Sequence, residues 1–175
     1  LQYMRKKILL MLVFVMIVPL AAVKIVRGEK GPIQITSDRL DAYDDKGIVL
    51  FSGNVVAVQG DTVINADKLY LYYDKKEGAG DSLAGITTNS GKIKKIELKD
   101  NVTIKKEGKI VTGDRAIFYN VEQKIIMTGN AVMRDGDNVI KGDRITVFLE
   151  ENRGIVDGPG GKRVTATIYP EDTRK

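Results

Sequence analysis

VTGDRAIFY at residues 111–119 returns as IKGDRITVF at residues 140–148, and two further versions lie upstream, ITSDRLDAY from Ile35 and INADKLYLY from Ile64. Each version sets a β-branched residue, a small residue, an Asp and a base ahead of alternating apolar side chains. The aspartates, Asp38, Asp67, Asp114 and Asp143, are spaced by 29, 47 and 29 residues. A recurring period of this size marks an architecture of stacked, similar units. A second phrase runs between the first ones, around Asn54 (SGNV), Asn101 (KDNV) and Asn130 (TGNAV), at 16, 34 and 16 residues after the preceding Asp. The middle unit is therefore 18 residues longer. Its surplus is KKEGAGDSLAGITTNSGK, residues 75–92, whose Gly, Ser and Thr content reads as a surface loop.

Parity around the Asn phrase gives the element type. Val49, Phe51, Val55 and Ala57 alternate in the first unit, Ile96, Leu98, Val102 and Ile104 in the second, and Ile125, Met127, Ala131 and Met133 in the third. All twelve are apolar, while the intervening positions are mixed, as at Lys95, Glu97, Lys99 and Thr103. A period of two with one oily face is a half-buried strand. The Asp phrase breaks this rhythm. Ile35, Ile64, Val111 and Ile140 lie five residues before Leu40, Leu69, Ala116 and Ile145, an odd step that would put each pair on opposite faces of a regular strand. If both members face inward, the small-Asp-base trio must bulge or turn a corner, and Ser37, Ala66, Gly113 and Gly142 are small enough to permit it. The four aspartates are thus expected at structural corners, accepting hydrogen bonds from turn or bulge donors. The bases that follow them, Arg39, Lys68, Arg115 and Arg144, are expected to pair with that Asp or stay solvated.

The predicted body is a single all-β stack of strands with an apolar interior and two open ends. The first strand, within PIQIT (32–36), and the last, Val164–Tyr169, are pairing-competent edges. Ile33, Gln34, Ile35, Val164, Ala166 and Ile168 are the expected interface of a head-to-tail homo-oligomer formed by strand addition.

Composition excludes several functions. The net charge of +5 arises in residues 1–30, which hold six bases and one acid; the rest carries 22 of each. Nucleic-acid binding needs its surplus on the folded part, so that class is set aside. The chain has neither His nor Cys, which removes the commonest general base, thiolate chemistry and disulfides. An aspartate repeated four times is not a single active site. DAYDDKG (41–47) and RDGDN (134–138) read as hairpin turns rather than calcium loops, lacking the terminal Glu. No enzyme activity, cofactor or metal is expected. At the N-terminus, Met4-Arg5-Lys6-Lys7 precedes a 16-residue apolar run, Ile8–Val23, interrupted only by Pro19. That is short against the ~20 residues of a bilayer span and reads as an export signal over residues 1–28, with an uncleaved anchor as the alternative. Residues 29–170 form the β domain and 171–175 a polar tail.

PIQITSDRLDAYDDKGIVLFSGNVVAVQGDTVINADKLYLYY, followed by GDRAIFYNVEQKIIMTGNAVM, IKGDRITVFLEENRGIV and GKRVTATIYP, resembles the OstA/LptA family of lipopolysaccharide-transport proteins across residues 32–170. The resemblance implies a slightly twisted β-jellyroll of antiparallel strands with an axial apolar groove, located in the periplasm. It implies lipopolysaccharide, held by its lipid A acyl chains, as ligand, an inner-membrane LptC-like protein as donor and an outer-membrane LptD-like receptor as acceptor. The groove lining would be Ile33, Ile35, Val49, Phe51, Val55, Leu69, Leu71, Ile96, Leu98, Val102, Ile104, Phe118, Ile125, Met127, Met133, Ile145 and Val147. Two other readings fit the same residues: the inner-membrane-anchored partner of that system, and a ligand-free β-solenoid scaffold.

Overall fold

A computed structural model of the chain describes residues 31–74, 92–158, 160 and 163–170. Its strands are β1 (Gln34–Thr36), β2 (Arg39–Tyr43), β3 (Ile48–Gln59), β4 (Thr62–Tyr73), β5 (Ile93–Lys106), β6 (Lys109–Tyr119), β7 (Lys124–Asp135), β8 (Asn138–Phe148), β9 (Arg153–Asp157) and β10 (Thr165–Thr167). All join one open antiparallel sheet. The long strands β3 to β8 follow chain order, and each end of the series is completed by two short strands. β1 and β2 pair with the two halves of β3, while β10 and β9 pair with the two halves of β8.

The sheet is divided because every long strand changes direction at one row. Between β3 and β4 the ladder jumps from Ser52↔Lys68 to Val55↔Ala66, so Gly53 and Asn54 together face Asp67. The same two-against-one mismatch places Asp100 and Asn101 opposite Asp114, and Gly129 and Asn130 opposite Asp143. The extra residue therefore belongs to the Asn phrase, so of the two outcomes open to the small-Asp-base trio, a bulge or a corner, the bulge falls across the ladder from it. The backbone explains the choice: all six bulge residues have positive φ, a conformation that Gly and Asn enter at least cost. The Asp strand still turns its corner. Ala66 and Leu69 are both buried, with Asp67 and Lys68 consecutively exposed between them. The small residue before the Asp meets a packing need: a Cβ on Gly113 would lie 2.7 Å from the Met127 sulfur, and one on Gly142 2.6 Å from a Val156 methyl.

The line of corners splits the sheet into two leaves. Leaf A holds β1, β10 and the long-strand segments 55–59, 62–66, 102–106, 109–113, 131–135 and 138–142. Leaf B holds β2, β9 and 48–52, 68–73, 93–99, 115–119, 124–128 and 144–148. Val55, Ala57, Ala66, Val102 and Ala131 of leaf A pack with Leu69, Leu98, Ala116, Met127 and Ile145 of leaf B in one buried cluster. The leaves thus close over a common core, burying side chains at ~25 cal/mol per Å² of apolar surface.

The free end of leaf A is closed by two-residue turns at Gly60-Asp61, Glu107-Gly108 and Gly136-Asp137. Each has at least one positive φ, as tight hairpins require. RDGDN is such a turn. The free end of leaf B carries longer connections, including the 3₁₀ turn Asp44–Lys46 within DAYDDKG. There the Asp74 amide donates to the Lys92 carbonyl at 3.0 Å and Lys94 pairs with Asp74 at 2.5 Å, which closes the stem of the 75–91 insertion.

Candidate functional site

Pairing register turns the alternation of single strands into rows that cross the whole sheet. In leaf B the inner row beside the corner is Leu40, Phe51, Leu69, Leu98, Ala116, Met127, Ile145 and Val156. The next is Ala42, Val49, Leu71, Ile96, Phe118, Ile125, Val147 and Gly154. In leaf A a third row runs Ile35, Ala57, Ile64, Ile104, Val111, Met133, Ile140 and Ala166. No charged residue interrupts any of them. The result is a continuous apolar interior from one edge of the sheet to the other.

Most residues expected to line a groove meet in this interior. Val55, Leu69, Leu98, Val102, Met127 and Ile145 are buried in the cluster, and Ile35, Phe51, Leu71, Ile96, Ile104, Met133 and Val147 pack against it half-buried. Val49 is buried in the second row, and Phe118 and Ile125 of the same row are half-buried on β6 and β7. Ile33 precedes β1 and is 38% exposed. Ala57, Ile64, Ala66, Val111, Ala116, Ala131 and Val156 complete the cluster and were absent from the expected lining. Of these only Ala66 reads as a corner spacer; Ala57 and Ala131 already stand among the twelve alternating apolar positions, and Ile64, Val111 and Ala116 flank the Asp phrase.

The corners are held across strands. Asn54 donates its side-chain amide to the Asp38 carboxylate, and Asn101 donates to Asp67, each at 2.8 Å. Asp114 sits beside Gly129, where a Cβ would collide with its carboxylate, as one on Gly53 would with Asp38. The bases after the aspartates do not pair with them. Arg39 grips Asp41 through two hydrogen bonds of 2.6 and 2.8 Å, and Arg115 reaches Glu97 at 2.7 Å. The cause is the bend: the Asp reaches over the bulge, while the base begins the outer face of leaf B and finds its partners there.

That outer face holds a cluster with no local sequence signal. Glu97 is 3% exposed although it faces away from the interior. Its Oε1 is approached by Lys99 at 3.3 Å and Arg115 at 2.7 Å, and the Tyr72 hydroxyl donates to Oε2 at 3.1 Å. Burial alone would push the Glu97 carboxyl up, but the Lys99 contact, the Arg115 charge and the Tyr72 hydroxyl outweigh it and hold the group below its ordinary range. Tyr72 is pushed the other way, by its own burial and then by the Glu97 charge. The Lys99 and Lys95 ammonium groups lie over the Tyr70 and Tyr72 rings at 4.7 and 4.2 Å, and the rings stack at 6.5 Å. These partners come from three strands, with Tyr72 and Arg115 lying 25 residues before and 18 residues after Glu97 in the chain.

At the edges, Gln34 and Ile35 lie in β1 and Ala166 in β10. The final strand is shorter than Val164–Tyr169: it spans three residues, with Val164 and Ile168 outside it at 40% and 68% exposure. The Tyr169 amide leaves the ladder and donates to the Asn138 side chain at 2.8 Å. The sequence reading also missed half of each edge, because β2 and β9 carry leaf B to the same limits. A surface depression of about 270 Å³ beside β10, lined by Arg134, Lys141, Thr165 and Thr167 among others, opens on the outer face and is separate from the apolar interior. Among the described residues no cluster of acids is arranged to hold a metal ion.

Comparison with known proteins places this geometry. The profile of the family described as LptA/(LptD N-terminal domain) LPS transport protein matches residues 34–153. The lipopolysaccharide export system protein LptA of Escherichia coli K12 is 32% identical over 142 residues, covering 79% of this chain and 71% of that protein. An uncharacterised protein of Rhizobium meliloti is 31% identical over 144 residues, covering 82% of this chain and 74% of its own. Among solved structures, LptH, the LptA-homologous periplasmic component of the lipopolysaccharide transport device of Pseudomonas aeruginosa, superposes with a TM-score of 0.63 at 16% identity, covering 79% of this chain and 96% of that one. With the bent sheet, its apolar rows and its paired corners matched by a family profile over more than half its length, the chain belongs to the LptA/LptD N-terminal family of lipopolysaccharide transport proteins.

Proposed function

We propose that this chain is a periplasmic bridge protein that carries lipopolysaccharide between the two membranes by holding its acyl chains between the leaves. The observation that carries the proposal is the set of three apolar rows running uninterrupted from the β1/β2 edge to the β9/β10 edge. A methylene withdrawn from water is worth ~0.8 kcal/mol, so acyl chains gain from a long lining rather than from one decisive residue. Half-buried Phe118, Ile125 and Met133 are among the positions in these rows with surface still to cover. Residues 1–28 act as the export signal of this reading and 29–170 as the carrier domain. The head and tail edges join copies of the chain to one another, to an LptC-like donor and to an LptD-like receptor. No covalent chemistry is involved.

Photo-crosslinking tests the lining. A photoreactive side chain at Phe118 or Ile35 should capture lipopolysaccharide in cells, and one at Lys124, on the outer face of leaf B, should not. Equal capture at inner and outer positions would overturn the carrier reading. The mass of the exported protein separates the soluble bridge, trimmed within its first 28 residues, from an inner-membrane-anchored partner.

A further inference from the structure

The outer face of leaf B has rows of its own, and they end differently at the two edges. Beside the corner the row begins at Arg39 in β2 and ends at Asp157 in β9. The next row begins at Asp41 and ends at Ile155. The outermost begins at Tyr43 and ends at Arg153. In that last row aromatic and cationic side chains pair across strands: Lys95 over Tyr72 at 4.2 Å, Lys124 over Tyr119 at 4.9 Å and Arg153 over Phe148 at 4.2 Å. Tyr43 is 42% exposed at the head of the row, and Asp157 has no ion-pair partner among the described residues.

We infer that the two edges of this chain are complementary in one register, in which Asp157 of one copy lies opposite Arg39 of the next and Arg153 opposite Tyr43. The inference rests on the head-to-tail reading above and adds to it the residues that fix the joint. Leaf B passes through β2, six long strands and β9 in strictly alternating direction, so the head strand of a following copy meets β9 antiparallel. Leaf A does the same through β1 and β10. Continuing every row across the joint sets Val156 opposite Leu40 on the inside and Ala166 opposite Ile35 in leaf A. On the outside, the aromatic–cation alternation extends by one more pair.

Other arrangements lose contacts. A slip of two residues one way faces Asp157 with Asp41, and like charges directly opposite each other destabilise a strand pair. A slip the other way brings Arg153 to Asp41 but carries the corner of one copy onto a flat leaf of its neighbour. A two-fold joint of like edges reverses the strands about an axis through one leaf and throws the other leaf to the wrong end. Only the matched head-to-tail register engages both short strands of each edge.

The chain has no cysteine, so engineered thiols report the register cleanly. Mixing Asp41→Cys protein with Ile155→Cys protein should give an intermolecular disulfide on mild oxidation, and mixing Asp41→Cys with Asp157→Cys or with Arg153→Cys should not. Sizing across a concentration series supplies the second readout. Asp157→Arg should weaken self-association by roughly three- to tenfold, the scale of one cross-strand charge pair reversed. Adding Arg39→Asp in the same chain should restore it. Cross-linking only at a shifted pair, or a double variant no better than the single one, overturns the proposed register. Proline placed at Ala166 and at Thr167 in turn tests the underlying reading, because adjacent residues point their amides to opposite sides of the strand. If one proline variant loses association while Asp157→Arg does not, strand addition stands and the register falls. If every variant, prolines included, associates like the parent, both fall.

Discussion

The two leaves share an interior and differ on the outside. Inward, leaf A and leaf B present rows of the same length and chemistry to one cluster. Outward, the leaf A row nearest the corner is Thr36, Val56, Asn65, Thr103, Thr112, Val132, Lys141 and Thr165, with a single charge. The corresponding leaf B row is Arg39, Ser52, Lys68, Lys99, Arg115, Thr128, Arg144 and Asp157, with six. The inner faces are alike because a common core imposes one requirement on both. The outer faces answer to water and are free to diverge. In leaf B that freedom is spent on a buried carboxylate and its partners, which tie β4, β5 and β6 together at the point where the chain re-enters from its insertion.

Breaking the shared part should have the largest effect. Leu69→Ala empties a side chain that is 1% exposed in the middle of the leaf B row, and should cost about 2–5 kcal/mol of unfolding free energy. Because the cluster spans both leaves, urea denaturation of this variant should remain one transition. Two separated transitions would show that the leaves fold independently.

The part peculiar to leaf B comes next. Glu97→Gln leaves Arg115 and Lys99 facing a neutral amide and should cost about 1–3 kcal/mol, given that both cations retain access to water. Its pH dependence has a definite sign. The Glu97 carboxyl is held lower in the folded chain than in the unfolded one, so its contribution is complete above the unfolded value of about 4.3 and disappears as pH falls through the folded value. The gap between parent and Glu97→Gln stability curves should therefore be full at neutral pH and close in acid. A gap that widened toward low pH would mean the ion pairs are absent.

At the corners, Gly129→Ala places a Cβ on the Asp114 carboxylate at φ +77° and should cost about 1–2 kcal/mol. Asn101→Ala, which removes the donor to Asp67, should cost about 1 kcal/mol. Smallest is the contrast between the outer faces. Lys95→Ala should lose about 0.5–1 kcal/mol with its place over the Tyr72 ring, and Thr103→Ala on leaf A should stay within about 0.5 kcal/mol of the parent. Thermal melts of the pair at low and high salt would measure the difference.

The interior was legible because parity is a local property: Val49, Phe51, Val55 and Ala57 declare their face without reference to the partner strand. The corner was half legible. An odd step between Ile64 and Leu69 requires a change of face, but only pairing register reveals that the inserted residue lies at Gly53-Asn54 across the ladder. Glu97 was not legible at all. Lys95, Glu97 and Lys99 look like a solvated face, and nothing near them in the chain announces Arg115 or Tyr72. The short edge strands β2 and β9 escaped for a related reason, since five residues of weak alternation gain their meaning only from a long neighbour already in place.

The clasp at the foot of the insertion has an evolutionary reading. Where Asp74 meets Lys92 and Lys94, the sheet completes its own hydrogen bonding before the chain departs and resumes it immediately on return. Chain inserted beyond such a closed stem costs only the entropy of a longer loop, about 0.6 kcal/mol for each doubling in length. The ladder is thus whole on both sides of the interval between Asp74 and Lys92, which makes this a point where descendants of one scaffold can differ in length and keep the same sheet.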